Sequence, residues 1–342
     1  MPEPRLPSAR SAFGDRRWSD RLPDLGTCGP IFALALVFLI FGLWKTNLFL
    51  TSSNLFTLLN DNADLAVVAF GLTIVLLTGE FDLSIAGVIT FTGFLSAGFI
   101  ANQGLPTALS IVIVLVIGAL IGAINGILVV YFRIHALIAT LAVSTILDGF
   151  TFFYSKGTVL YQGIPSSFTQ LGASTVGQVE IPAFYMVAIG LALWAFLRYT
   201  AAGRYMHAIG GNRDAARLSG IRVGRYVIAA FVISGLCSSW AGIIEAARNA
   251  SVQPGAGQSF LLPAFAAAFL GSATLRRGEF HILGTVIGVY LIASATSGFF
   301  ILGAPFYTQD FIQGGLLIAA TAGSRFLGKG STNLFRLRRG GA

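Results

Sequence analysis

The feature that most constrains this chain is the length of its charge-free stretches. No Asp, Glu, Lys or Arg occurs between Asp82 and Arg133, a gap of fifty residues. Two further charge-free stretches lie at 249–275 and 280–309. A bilayer core about 30 Å thick takes roughly 20 apolar residues per helix. The longest gap therefore has room for two membrane-spanning helices, with a turn between them at 102–106.

The composition excludes two broad classes of soluble protein. Hydrophobic residues make up 55% of the chain and charged residues only 11%, whereas soluble domains carry about 25% charged residues. The net charge of +8 would suggest nucleic-acid binding in a soluble protein, but here the basic residues lie between hydrophobic stretches. A soluble enzyme and a nucleic-acid-binding protein are therefore excluded, and we predict that a lipid bilayer surrounds the chain.

The hydrophobic stretches recur along the chain with about the length of a membrane span. They lie at 31–49, 54–78, 83–101, 106–131, 136–154, 182–200, 226–248, 258–275, 280–301 and 306–324. We therefore predict an all-α integral membrane protein with about ten transmembrane helices. Because many transporters consist of inverted repeats, we expect two pseudo-symmetric halves of five helices each, at 31–154 and 182–324.

The distribution of basic residues predicts the orientation of these helices. With ten spans, 19 of the 22 Lys and Arg residues fall on one side of the membrane, and only Lys45, Lys156 and Arg248 fall on the other. Basic residues concentrate on the cytoplasmic side of a membrane protein. We therefore predict that both termini are cytoplasmic.

The chain divides into one membrane domain with a basic tail at each end. Residues 1–30 and 325–342 are the predicted cytoplasmic tails, and 31–324 form a single transmembrane domain. Two hydrophilic stretches within that domain are longer than a tight turn. Residues 155–181 are predicted to face outward, and 201–225 to face the cytoplasm.

Residues 201–225 carry the signals of a short, capped helix. Gly210-Gly211 ends the preceding structure, Asn212 is a favoured N-cap, and Gly220 is a stop signal. Between these signals we predict a helix over 213–219, roughly 10 Å long. Its first turn contains Asp214, where the helix dipole favours an anion.

This short helix has two interpretations on the residues alone. Ala215, Ala216 and Leu218 offer a small apolar surface that would suit docking into a groove on another protein. The alternative is an ordinary basic loop that fixes the orientation of the chain in the membrane. Both remain open at this level.

At these residues the sequence resembles a known family. Gly203 through Ile221 keep the pattern G-R-x-x-x-A-x-G-G-N-x-x-A-A-x-x-S-G-I, which resembles the coupling-loop region of permease subunits in bacterial ABC importers for simple sugars, of the ribose and xylose type. GLTIVLLTGEFDLSIAG at 71–87 is similar to that family's G-G-I-D-L-S-V-G signature, and INGILVVYFRIHALIATL at 124–141 is a third match. The resemblance extends over nearly the whole chain from about residue 54.

The resemblance implies a set of partners and a place for them. The chain would be a permease subunit in the bacterial inner membrane, working with a second permease chain, a cytoplasmic ABC ATPase and an extracytoplasmic sugar-binding protein. ATP and Mg would be bound by the ATPase, so this chain would be no enzyme and would hold no cofactor. The helix at 213–219 would be the coupling helix. The residues that we assign to ATPase coupling are Gly210, Gly211, Asn212, Arg213, Asp214, Ala215, Ala216, Arg217, Leu218 and Gly220.

The sequence departs from the family's pattern near the second signature. Glu80 stands where the family usually has Gly, Phe81 replaces Ile, and Ala86 replaces Gly. His135-Ala136 replaces a common Pro-Pro. These changes leave the resemblance in place and leave the identity of the sugar open.

Acidic residues near the hydrophobic stretches are candidates for a translocation path or gate, because a charge at mid-bilayer costs about 3 kcal/mol. Glu80 and Asp82 either lie solvated in a cytoplasmic turn, or the Asp-Leu-Ser break lines the central path or fixes a gate. In the second interpretation, Asp82 and Ser84 cap the following helix.

Three further polar residues are candidates for the same path. Asp61 and Asp64 are three residues apart and would share one helix face near the outer end of the second span. They either accept hydrogen bonds from sugar hydroxyls, or cap a helix or pair with Lys45. Asn125 either joins two helices by hydrogen bonds or faces the path.

Several other functions find no support in the sequence. His135, His207 and His281 lack the spacing of metal ligands, and no Ser-His-Asp or Cys-His catalytic set can be assembled. The remaining alternative is a secondary transporter that uses an ion gradient, with the buried acids relaying protons or sodium ions. A non-transporting membrane scaffold would explain the basic loop but not the intramembrane acids.

Overall fold

The computed structural model describes residues 29–274 and 278–319, and this part of the chain is almost entirely helical. The elements in chain order are α1 (Gly29–Trp44), α2 (Thr46–Phe49), α3 (Ser52–Asp61), α4 (Ala63–Leu77), α5 (Ile85–Ala101), α6 (Thr107–Val130), α7 (Ala136–Ser155), α8 (Ser166–Ala173), β1 (Thr175–Val176), β2 (Val179–Glu180), α9 (Ile181–Tyr199), α10 (Ala201–Gly211), α11 (Arg213–Leu218), α12 (Val223–Asn249), α13 (Gln258–Ser272) and α14 (Ile282–Ile301), followed by the helical residues 308–319, α15.

The prediction of a helical membrane protein is confirmed. Within the described residues, five helices are long and apolar enough to cross a bilayer, namely α6, α7, α9, α12 and α14. The bent pair α3 and α4, whose axes differ by 43°, would make a sixth span. Helices α1, α5 and α13 are apolar but shorter. Each predicted stretch coincides with a helix or a helix pair, although the last one, 306–324, is described only as far as residue 319.

One prediction about the fold needs correction, and two predicted tails lie at least partly outside the described residues. The fold is not purely α-helical, because β1 and β2 pair antiparallel in a two-residue hairpin, with Thr175 opposite Glu180. The tail at 325–342, and the tail at 1–30 up to residue 28, lie outside the described residues.

The centre of the fold is helix α4, which has protein on all sides. Every residue of α4 except Leu65 is buried. Uniformly apolar helices of this kind occur inside large bundles, because no face of the helix has to meet water. The neighbours of α4 include α12, α13, α9 and α14.

Helices α6 and α12 pack closely through small residues. Gly118, Gly122 and Gly126 recur every four residues on α6, and a methyl group at any of them would overlap atoms of α12 such as the Phe231 carbonyl oxygen and the Ile228 backbone. Small residues at this spacing let two membrane helices approach to backbone contact.

The predicted outer loop folds back onto the helices. Leu160 forms an antiparallel bridge with Val252, and α8 packs on α12 at Gly172, where a side chain would overlap the backbone of Arg248. The Asn60 side chain donates to Gln178 O at 3.0 Å and accepts from Glu180 N at 3.0 Å. The β1–β2 hairpin is therefore fixed to the end of α3.

Candidate functional site

Helix α11 is the short capped helix that the sequence predicts. The Asn212 side chain accepts a hydrogen bond from Ala215 N at 2.9 Å, so its role as N-cap is confirmed. Asp214 lies in the first turn, and α11 ends before Gly220, which adopts a left-handed φ of 81°. A non-glycine residue would be strained there. Local sequence signals therefore fix both ends of α11.

The exposed face of α11 differs in one residue from the predicted apolar surface. Ala216 is buried against the rest of this chain, whereas Leu218 is 89% exposed and Ala215 is exposed. Asp214 and Arg217 are exposed as well. The exposed apolar surface of α11 thus centres on Leu218, and Ala216 serves internal packing.

Helix α10 ends at Gly211, as the sequence predicts, and Gly210 and Gly211 form its last turn. Gly210 packs directly on the end of α4, and a side chain there would overlap the Leu77 carbonyl oxygen. A side chain at Gly211 would meet nothing within 4 Å. Gly210 is therefore required for a close helix contact, since a Cβ atom has no room at that point.

An ion pair joins α11 to the segment between α4 and α5. Arg213, the first residue of α11, places Nη1 at 2.6 Å from Glu80 Oε1. The Glu80 side chain is 11% exposed and that of Arg213 is 43% exposed. The interpretation of Glu80 as a solvated turn acid is therefore wrong, because its carboxylate is largely buried and paired.

The segment between α4 and α5 is an interruption of helical structure inside the protein. It begins at Thr78, the C-cap of α4, and continues in non-helical conformation through Asp82 and Leu83 to Ser84. Gly79 within it has a left-handed φ of 84°. We refer to residues 78–84 as the helix break.

Asp82 holds the helix break together from within. Its Oδ1 accepts from Ser84 N at 3.0 Å and from Ser84 Oγ at 2.6 Å, and its Oδ2 accepts from Ser234 Oγ on α12 at 2.7 Å. Asp82 is 1% exposed, so it is not a solvated turn acid either. Ser84 occupies the N-cap position of α5, but its side chain accepts no cap hydrogen bond and instead donates to Asp82.

Asn125 belongs to the same network. Its Nδ2 donates to Ser84 Oγ at 2.7 Å, which links α6 to the helix break. Its Oδ1 is buried and has no hydrogen-bond partner within the described residues. The structure thus gives Asn125 the helix-joining contact.

Helix α7 contacts the break from a further side. Thr140 Oγ1 accepts from Leu83 N at 3.0 Å, and Ser144 Oγ accepts from Gly87 N at 3.2 Å. Together with Asn125 and Ser234, these hydroxyl groups fasten the break to α6, α7 and α12. Thr140, Ser144 and Ser234 are not predictable from the sequence, because single hydroxyl residues in apolar helices carry no distinguishing pattern.

Asp61 and Asp64 do not lie on one continuous helix face. Helix α3 ends at Asp61 and α4 begins at Ala63, with the 43° bend between them. Asp61 is exposed, whereas Asp64 is 4% exposed. In the described residues neither forms an ion pair with Lys45.

Asp64 instead faces Arg248. The sequence predicts only that Arg248 lies on the outer side of the membrane. Arg248 Nη1 lies 3.6 Å from Asp64 Oδ2, and its Nη2 lies 2.8 Å from Glu180 Oε2 and 2.6 Å from Asn60 O. The signal that could have identified this residue is its rarity, because few cations are present on the predicted outer side and a buried carboxylate requires one.

Comparisons with known proteins give the family to which this architecture corresponds. Residues 54–321 match the family described as branched-chain amino acid transport system / permease component. The ribose import permease protein RbsC of Escherichia coli (strain K12) is 35% identical over 293 residues, covering 85% of this chain and 91% of that protein.

Two further relatives have the same extent. The D-allose transport system permease protein AlsC of Escherichia coli (strain K12) is 31% identical over 301 residues, covering 88% of this chain and 92% of that protein. The autoinducer 2 import system permease protein LsrD of Yersinia pseudotuberculosis is 30% identical over 295 residues, covering 85% and 88%. No solved structure matches the chain. The resemblance to sugar-import permeases seen in the sequence motifs is thereby confirmed.

Proposed function

Because the chain belongs to the family of branched-chain amino acid transport system permease components, we propose that it is the membrane-spanning permease subunit of an ATP-driven importer. Its solute would be a monosaccharide or a similar small polyol, delivered by an extracytoplasmic binding protein. Relatives named for ribose and D-allose import support a sugar, and not a branched-chain amino acid, as this solute. ATP hydrolysis would belong to a separate ATPase subunit.

The observation that carries the proposal is the continuity between an exposed docking helix and a buried helix break. Helix α11 presents Leu218 outward and is joined by Arg213 to Glu80. Glu80 lies two residues before Asp82, whose carboxylate anchors the break to α12. Force applied to α11 can therefore reach the interior through the ion pair of Arg213 with Glu80. It can also pass through α10, whose Gly210 contacts Leu77 at the end of α4.

The proposed mechanism uses this connection as a lever. Closure of a cytoplasmic ATPase pair moves α11, and α10 moves the end of α4 with it. The Asp82 network then rearranges, and the permease opens to the other side of the membrane. In the proposed topology residues 78–84 join the second and third spans on the cytoplasmic side, and the ion pair of Glu80 with Arg213 supports a gate there.

The membrane arrangement is part of the proposal. We propose ten spans in two halves of five, both termini in the cytoplasm of a bacterial cell, and the bacterial inner membrane as the location. The 19 basic residues on one side of such a topology support it. A second permease chain would complete the translocation unit, and the outer segment 155–181 would help to dock the binding protein.

The test is a substitution on the exposed face of α11. Leu218→Asp places a charge in the proposed apolar contact and should lower ATP-dependent sugar uptake into proteoliposomes containing the complete importer by at least about tenfold. Leu218→Met is the matched control and should retain uptake. Normal uptake by the aspartate variant would refute the coupling assignment. Gradient-driven uptake by the purified chain alone would instead establish the secondary transporter.

A further inference from the structure

An open pocket with both polar and apolar lining residues lies away from the helix break, beside Asp61, one of the candidate path residues. This cavity has a volume of about 590 Å³ and is bordered by α3, the start of α4, α13, α14 and α15. Small-molecule sites have volumes of about 300–1,000 Å³, so a single sugar ring with its hydroxyl groups fits. Under the proposed topology the cavity lies toward the outer side of the membrane, where a binding protein would release its solute.

The lining combines hydrogen-bonding groups of several kinds with two aromatic rings. The polar residues that bear on the argument are Asn54, Thr57, Asp61, Thr296, Gln309 and Gln313. Amide groups both donate and accept, hydroxyl groups do the same, and a carboxylate accepts only. Phe260 and Phe300 contribute apolar faces. A sugar presents hydroxyl groups at its rim and C–H groups on its faces, and this lining complements both.

Within the described residues, Asp61 is the one ionisable residue in the lining of the cavity. This part of the lining contains no Lys, Arg or His. An anionic solute would meet this carboxylate without any cation to offset it. The hydroxyl groups of a neutral polyol, by contrast, can donate to Asp61 in charge-assisted hydrogen bonds, which are stronger than neutral ones.

An amino acid carboxylate would meet no cation in the same cavity. The first turn of α13 borders the cavity, and helix N-termini can bind anions through free backbone N–H groups. Two donors of this turn are already used, because Gln258 N donates to Gly255 O at 3.0 Å and Phe260 N donates to Gly257 O at 3.1 Å.

One polar side chain of the lining is fixed in position by other residues. The Asn54 side chain is held in place, because Nδ2 donates to Phe49 O at 2.8 Å and Oδ1 accepts from Ser297 Oγ at 3.0 Å.

We propose that this cavity binds one neutral monosaccharide or similar polyol during transport, with Asp61 accepting hydrogen bonds from ring hydroxyls. This rests on the proposed function, because it names the part of the permease that holds the solute. It also separates the two acids near the start of α4: Asp61 contacts solute, and Asp64 pairs with Arg248.

The test measures protection of the cavity from a thiol reagent. Thr57, which is exposed in the cavity, is replaced by cysteine in a chain carrying Cys28→Ser and Cys237→Ala. The rate of labelling by a charged methanethiosulfonate reagent is then measured with D-ribose, D-allose, D-xylose, myo-inositol or L-leucine present. At least one of the four polyols should slow labelling in a saturable manner, and L-leucine should not.

Substitutions then assign the effect to Asp61. Asp61→Asn should raise the half-protecting concentration about 10- to 100-fold, the range for loss of a charge-assisted hydrogen bond. Glu245→Gln is the control, since Glu245 lines a neighbouring cavity. It should leave protection unchanged.

The outcomes separate this inference from the proposed function. If the complete importer takes up a polyol with ATP, but none protects the cysteine or Asp61→Asn has no effect, the cavity assignment is refuted and the permease function stands. If the complete importer takes up L-leucine and none of the four polyols, and L-leucine protects the cysteine, both the sugar function and the inference are refuted.

Discussion

Arg213 and Glu80 are 133 residues apart in the chain, and their side chains meet at 2.6 Å between Nη1 and Oε1. One residue begins the short exposed helix α11, and the other lies in the helix break at 78–84. Glu80 is also a residue at which this chain departs from the signature that it resembles, where Gly is usual. The ion pair is therefore a link between α11 and the helix break that a glycine could not form.

Removal of either charge should weaken the link without unfolding the protein. Glu80→Gln and Arg213→Gln should each lower sugar uptake per ATP hydrolysed by about fivefold, the factor that corresponds to ~1 kcal/mol for a partly exposed pair. The double variant should be no worse than either single one, since both remove the same interaction. Uptake and ATP hydrolysis are measured together in proteoliposomes. Arg204→Gln, at an exposed arginine of α10, is the control.

The contact of Gly210 with Leu77 gives a second prediction with a close control. Gly210→Ala forces a methyl group against the carbonyl oxygen of Leu77, so α10 has to move away from α4. We expect a loss of about 1–3 kcal/mol in stability, measured as a lower thermal unfolding midpoint, and reduced uptake. Gly211→Ala, one residue later in the same helix, has free space and should have little effect. Equal behaviour of the two variants would contradict the role given to Gly210.

The ends of α11 can be predicted from the sequence, whereas the face that α11 buries cannot. Asn212 and Gly220 mark the ends of α11 because capping and left-handed turns depend on residues close in sequence. The burial of Ala216 depends on how α11 sits on the rest of the protein, and a six-residue helix has too few residues for its pattern to reveal a buried face.

The positions of the two aspartates near the start of α4 also depend on tertiary structure that the sequence does not reveal. A spacing of three residues predicts a shared face only if the helix is continuous. Between Asp61 and Asp64 the helix bends at Asn62, whose φ of −105° and ψ of 4° depart from helical values. Polar residues at a membrane helix end are compatible with a bend or a straight continuation, and packing decides between them.

The serine network around Asp82 yields a third prediction, because α12 contains two buried serines one turn apart. Ser234 Oγ donates to Asp82 Oδ2 at 2.7 Å, whereas Ser238 Oγ has no partner within the described residues. Ser234→Ala should cost about 1.5–3 kcal/mol in unfolding free energy, the range for a hydrogen bond to a charged group. Ser238→Ala should be neutral or slightly stabilising, since it removes an unpaired hydroxyl. Chemical denaturation in detergent micelles measures both, and the opposite ranking would contradict the network.

Arg248 offers a fourth prediction, on the outer side of the molecule. Its guanidinium lies beside Asp64 and Glu180 and donates to Asn60 O, so it holds the β1–β2 hairpin on the end of α3. Arg248→Met should lower the unfolding free energy by about 3 kcal/mol, because the buried Asp64 carboxylate is left without a cation. The hairpin should also become accessible to proteases. Thermal unfolding and limited proteolysis in lipid nanodiscs measure the two effects.

A second substitution distinguishes loss of the ion pair from a general loss of packing. If the uncompensated carboxylate causes the damage, Asp64→Asn in the Arg248→Met background should recover part of the stability, since no buried charge remains. Lys156→Met, at an exposed cation also predicted to face outward, should have almost no effect. Should the double variant be less stable than Arg248→Met alone, Asp64 would not be the residue that Arg248 neutralises. The arginine would then act through Glu180 and Asn60, as an anchor for the hairpin only.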